Sequence, residues 1–156
     1  MKIRKFETAV WLPLPPEQLF EFFADAGNLD ALTPGWLHFK ILTPLPIRMQ
    51  VGTLIDYRLR VHGWPVYWRT RISAWDPPFH FVDEQLKGPY RRWVHDHQLL
   101  PENGGTRVKD CVSYSVPLDF LMHPFLVGPD INRIFDFRTA ALMKHFNPGT
   151  GKIIDS

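Results

Sequence analysis

The chain of 156 residues is 45% hydrophobic and 22% charged, the mixture of one ordinary folded domain and not of a disordered, fibrous or membrane-spanning chain. Lys and Arg number 18 against 16 acids, so a net charge of +2 gives no ground for nucleic-acid binding, and the single cysteine, Cys111, excludes an internal disulfide or a cysteine-rich zinc site. The start, MKIRKFETAVWL, lacks a signal-like apolar core and no apolar run reaches about 18 residues, so a cytoplasmic address without integral membrane association is expected.

Residues 3–12 mix charge with β-branched and aromatic residues before Pro13, the pattern of a strand. Pro16 suits a first helical turn, and Leu19, Phe20, Phe22 and Phe23 form an apolar face that Gly27 ends. Asn28 is placed to cap a second short helix through Leu32, before Pro34. From residue 37 the period becomes two, predicting strands over 37–43, 53–61, 66–75, 79–86, 91–100 and 106–116. Turn chemistry separates them at His62-Gly63, Asp76-Pro77-Pro78, Gly88-Pro89 and Asn103-Gly104-Gly105, so neighbouring strands run antiparallel. Pro129 and Asp130 open a long helix with Ile131, Ile134, Phe135, Arg138, Leu142 and Phe146 on one face, closed by Asn147, Pro148 and Gly149. The order predicts an α+β fold in which a curved antiparallel sheet of about seven strands surrounds a long C-terminal helix, with two short helices after the first strand. Residues 1–147 make one domain in this reading, and 148–156 a loose tail.

Residues two apart on a strand share a face, so alternation selects an inner wall. It comprises Tyr57, Leu59, Trp68, Thr70, Ile72, Asp83, Gln85, Trp93, His95, His97, Asp110 and Tyr114, with Phe135, Arg138 and Leu142 added by the helix. Phe79 falls on the same face as Phe81. The arginines at 58, 60, 69 and 71 face outwards. So many polar groups on an inner face require a satisfied network, bound water, a ligand or a metal.

His95-Asp96-His97 sends both imidazoles to one side, an arrangement that can hold zinc, iron or copper with Asp83 or Asp110 as a third ligand. Nothing else in the chain has ligand spacing, so no metal and no cofactor is expected. With Asp83 or Asp110 orienting one imidazole, the pair could instead exchange protons near neutral pH. No nucleophile elbow, Walker loop, dinucleotide fingerprint or HExxH motif specifies a reaction. The apolar segment PLDFLMHPFLVGPD, 117–130, reads as a long irregular connection that closes over a cavity, plugs the core or touches a second subunit.

Four stretches in order resemble the SRPBCC superfamily, also called START-like or Bet v 1-like: WLPLPPEQLFEFFADAGNLDALTP at 11–34, ISAWDPPFHFVDEQLKGPYRRWVHDHQL at 72–99, GGTRVKDCVSYSVP at 104–117 and IFDFRTAAL at 134–142. Within it the likeness is to a bacterial ligand-binding or cyclase/dehydrase-like subfamily. The resemblance implies a helix-grip fold and a deep apolar cavity between sheet and C-terminal helix. Its members include carriers of hydrophobic molecules and cyclases, so function has to be argued from the site. The expected function is binding or carrying of a small hydrophobic ligand, lipid, polyketide or isoprenoid-like, by a monomer or homodimer. Tyr57, Leu59, Trp68, Thr70, Ile72, Gln85, Trp93, Tyr114, Phe135, Arg138 and Leu142 are the expected binding residues. The alternatives are a cyclase or lyase-like enzyme using His95 or His97 with Asp83 or Asp110, and an interaction module with a filled core. Whether the chain is an enzyme stays open at this point.

Overall fold

The computed structural model describes residues 1–146; the expected helix stop at 147–149 and the tail at 148–156 lie outside the described residues. Strand β1 (Arg4–Leu12) leads to α1 (Pro16–Ala24) and two 3-10 turns (Ala26–Leu32, Gly35–Leu37). Then follow β2 (Lys40–Ile41), β3 (Leu54–Val61), β4 (Trp64–Asp76), β5 (His80–Lys87), β6 (Arg92–Glu102) and β7 (Gly105–Ser115). All seven form one antiparallel sheet in the order β1-β7-β6-β5-β4-β3-β2. The final helical stretch comprises α2 (Asp119–Met122), a wide π-type turn (His123–Val127) and α3 (Gly128–Phe146).

The sheet is a chain of tight hairpins because its turns carry the right residues. His62 and Gly63 have φ of 49° and 81°, and Asn103 and Gly104 have 48° and 76°, the paired positive values that match strand twist in a two-residue turn. Gly105, expected in the second turn, already belongs to β7. A register shift in β4 between Ile72 and Ala74 increases the local bend. The sheet curves around α3, whose buried residues Ile131, Phe135, Arg138 and Leu142 recur at helical spacing.

Three expectations are corrected. The stretch 37–43 pairs only at Lys40 and Ile41: Leu37 and His38 end a 3-10 turn, His38 with φ of 47°, and past Ile41 the amides of Leu42 and Thr43 both converge on Asp56 O, which breaks the ladder. The second short helix is a 3-10 turn capped by Asp25 Oδ1, which accepts from Gly27 N at 2.9 Å, while Asn28 Nδ2 donates to Phe22 O at 2.9 Å. Phe79 lies in the Asp76–Phe79 turn and is 46% exposed, since alternation has no authority outside a strand.

One core cluster joins Val10, Leu12, Leu19, Phe20, Leu99, Val108 and Leu142 at the end carrying the β6–β7 turn. Leu12, Leu19 and Leu99 are fully buried there, each contributing about 1.5–3 kcal/mol of transfer free energy. A second cluster seats Ile131 and Phe135 on Val112, Tyr114 and Val116. Between these anchors α3 meets β3, β4 and β6 through the side chains of Ile134 and Phe135, which leave a cavity in the interior. No helix among the described residues is long and apolar enough to cross a membrane.

Candidate functional site: an aromatic cavity with a histidine-aspartate edge

The gap between sheet and helix is a cavity of about 350 Å3, within the range that takes small organic molecules. The premise of a filled core is therefore not met. Trp68 builds much of the wall, stacking on Tyr57 (ring centroids 5.9 Å, 15°) and meeting Trp93 edge-on at 5.6 Å. Ile131, Ile134 and Phe135 of α3 face it, and Phe22, Phe23 and Leu32 close the inner end. The indole Nε1 of Trp68 is buried without a hydrogen-bond partner, an uncommon state for a donor.

The register of three central strands assembles a polar island in this apolar surface. Asp83 on β5 lies opposite His95 on β6, and His97 lies opposite Asp110 on β7, all pointing inwards by alternation. His97 Nε2 is 2.6 Å from Asp83 Oδ2, and His95 Nε2 is 2.8 Å from Asp110 Oδ1. Arg138 donates to Asp110 from α3, Nε to Oδ2 at 3.3 Å and Nη2 to Oδ1 at 3.4 Å. The two imidazoles stack at 3.6 Å, and His97 also stacks on Phe81 at 4.0 Å. His97 Nδ1 is 3.2 Å from Asp110 Oδ1 but off the line of a hydrogen bond, so it remains a buried atom without a partner. His95 Nδ1 has Asp83 Oδ2 at 4.0 Å.

Burial works against every charge here, and the neighbours decide the balance. Burial pushes Asp110 up, yet Arg138 and the two imidazoles outweigh it and hold the carboxyl well below its ordinary range. Asp83 is likewise lowered, because His97 and more distant positive groups overcome its desolvation. Burial and the charge of His97 depress His95, whereas in His97 the two carboxylates override burial and raise it. Burial raises the Tyr57 and Tyr90 phenols, keeping both as neutral hydroxyls. Chemically, such an edge can hydrogen-bond a guest's polar group, hold a cation or move a proton.

Tyr57, Leu59, Trp68, Thr70, Ile72, Asp83, Trp93, His95, His97, Phe135 and Arg138 all line the cavity. Four expected residues do not. Asp110 lies behind the imidazoles, and Leu142 is in the core cluster beside Leu12. Gln85 closes the β5–β6 turn, donating Nε2 to Tyr90 O at 2.7 Å and accepting from Tyr90 N at 3.2 Å. Tyr114 is buried with its hydroxyl 2.8 Å from His123 Nε2. Sequence reasoning passed over Phe23, Leu32, Leu37, Tyr90 and Ile131 as wall residues. Ile131 and Ile134 were within reach, since they share the helical stripe with Phe135; Tyr90 and Leu37 sit in turns, where no period applies.

The 117–130 segment is not an irregular connection. Leu118, with φ of 48°, turns the chain into α2, and Asp119 is held by Arg4 at 2.7 and 2.9 Å. Pro124 lies in the π-type turn, where Gly128 N bonds His123 O, and Pro129 falls in the first turn of α3, so the helical stretch carries both. Met122, Leu126 and Val127 turn to the cavity, while Phe120 and Phe125 are 79% and 73% exposed. The segment thus walls the cavity with one face.

The model of the family described as polyketide cyclase/dehydrase and lipid transport matches residues 12–143. The chain belongs to this family. Solved structures of the same fold are distant in sequence. Ara h 8.0201 is 19% identical, with 95% of this chain and 100% of that one covered and a TM-score of 0.65. Protein CV1439 from Chromobacterium violaceum is 16% identical, with 93% and 99% covered and a TM-score of 0.72. The major latex-like protein 151 from Panax ginseng is 12% identical, with 94% and 99% covered and a TM-score of 0.69. No curated protein matches the chain. Membership in the polyketide cyclase/dehydrase and lipid transport family and the shared Bet v 1-like fold support binding of hydrophobic ligands in general.

Proposed function

We propose that the protein binds and carries a small hydrophobic molecule, polyketide, lipid or isoprenoid-like, that bears one or two polar groups. The observation that supports this reading is the distribution of chemistry in the cavity: aromatic and aliphatic walls broken by one polar edge of Asp83, His95 and His97. Burying the guest's apolar surface supplies affinity, and the edge fixes which end enters first. Trp68 Nε1 adds a donor that a carbonyl or hydroxyl oxygen of the guest would satisfy. Trp93 and Tyr57 supply rigid contact area with little entropy to lose.

Native mass spectrometry of the freshly purified chain, set against its denatured mass, tests the proposal. An organic adduct of a few hundred daltons, displaced by an apolar fluorophore, is the expected result. A bare mass, together with no fluorophore bound across a broad panel of apolar probes, overturns it.

A further inference from the structure

The geometry points to a binding site for one divalent first-row transition-metal ion on the cavity wall, held by His95 Nδ1, His97 Nε2 and the Asp83 carboxylate. One ligand atom from each of the three lies within 4.8 Å of the others. Metal bonds of about 2.0–2.2 Å to nitrogen and carboxylate oxygen bring donors to about 3 Å from one another, so small side-chain shifts on fixed strands complete the set.

The hydrogen-bond pattern supplies the second argument. Asp110 is pinned by Arg138 and accepts from His95 Nε2 at 2.8 Å, so the proton of His95 resides on Nε2. That leaves Nδ1 as a lone pair, with a carboxylate oxygen of Asp83 at 4.0 Å. Two electron-rich atoms facing each other across that gap are matched by a cation between them. His97 completes the arrangement when the hydrogen between its Nε2 and Asp83 leaves to solvent. Asp110 orients the His95 imidazole from behind through its Nε2, as an outer carboxylate commonly does for a histidine ligand. Three protein donors leave the remaining coordination positions open towards the cavity, where an oxygen of a guest or water would bind.

Expecting no metal from sequence followed from the lack of ligand spacing beyond His95 and His97; the third donor arrives by strand pairing. The site stands on its donor set alone, independently of the carrier reading, and its test reads the ion and not the organic guest. The full chain, carrying no histidine tag and stripped with chelator, is titrated with Zn2+ by calorimetry and with Co2+ by visible absorbance. One ion per chain is expected, with a Co2+ d–d band that Zn2+ displaces. His95→Gln and Asp83→Asn are expected to abolish the band with native circular dichroism retained, and Asp110→Asn to weaken affinity by about 10–100-fold. His62→Gln and His80→Gln, which alter histidines paired with other carboxylates, are expected to leave the stoichiometry unchanged. Absence of binding, or an ion whose affinity is unaltered in Asp83→Asn, overturns the site. Because Asp83 is the most accessible donor, with a side chain 20% exposed, that variant decides the matter even if the His95 variant does not fold.

Discussion

Arg138 on the C-terminal helix and Asp110 on the seventh strand form a buried ion pair, 3.3 Å apart, that ties the helix to the sheet beside the polar edge of the cavity. Side-chain exposures of 10% and 4% mean that removing one charge strands the other. Arg138→Met is therefore expected to lower unfolding free energy by about 3–5 kcal/mol, read from guanidinium denaturation. Adding Asp110→Leu to that variant should cost less than the sum of the single changes, because no uncompensated charge then remains.

Ile134 faces the cavity one turn from Arg138 and is only partly buried. Ile134→Trp fills space that a guest would occupy without breaking a polar contact. The expected outcome is at least about a tenfold rise in the dissociation constant for an apolar fluorophore with stability within about 1.5 kcal/mol of the parent. Unchanged fluorophore affinity would place the binding elsewhere.

The start of α2 depends on Asp119, whose carboxylate accepts two hydrogen bonds from Arg4 and lies 3.9 Å from Lys2 Nζ. The Arg4 hydrogen bond, working against burial, holds Asp119 below its ordinary range. A carboxylate lowered in the folded state stabilises above its unfolded pKa, and that contribution is lost as pH falls through the folded value. The amides of Leu121 and Met122, which bond Leu118 O, should thus lose exchange protection on acidification below about pH 4. Asp119→Ala is expected to show the same loss at neutral pH and no further pH response there.

Gly105 has no room for a side chain. A Cβ at this position would run into the carbonyl oxygen of Leu12 and reach within 2.7 Å of the Trp11 ring, whose Nε1 donates to Glu102 O at 2.8 Å. Gly105→Ala must push β1 away from β7, at an expected cost of about 1–3 kcal/mol by denaturant midpoint. Gly104, where nothing lies within 4 Å, suffers instead through its φ of 76° when substituted.

Alternation alone brought Asp83, His95, His97 and Asp110 to one face, because every one of them lies well inside a strand. It could not say that Asp83 would sit opposite His95, since that register depends on the turn from Lys87 to Arg91, held by Gln85. Gln85 lies within β5, paired with Thr70, yet its side chain bends to the backbone of Tyr90 in the following turn and so does not enter the cavity. The opposite error arose over 117–130, read as an irregular connection, where a wide helical turn and packing of Met122 and Val127 on Tyr114 and its neighbours keep the chain helical through Pro124. The inner end of the cavity stayed hidden because Leu32 and Leu37 belong to 3-10 turns.

The pairing of β1 with β7, Arg4 against Tyr114 and Leu12 against Thr106, has a consequence for how the chain is made. The first strand out of a ribosome has its neighbour synthesised last, so it must wait as an unpaired edge while five other strands emerge. Folding that relies on so distant a partner is slow and is completed after most of the domain has been translated. Nascent chains halted before Gly105 are accordingly expected to remain protease-sensitive throughout β1, with protection appearing only once β7 has cleared the exit tunnel.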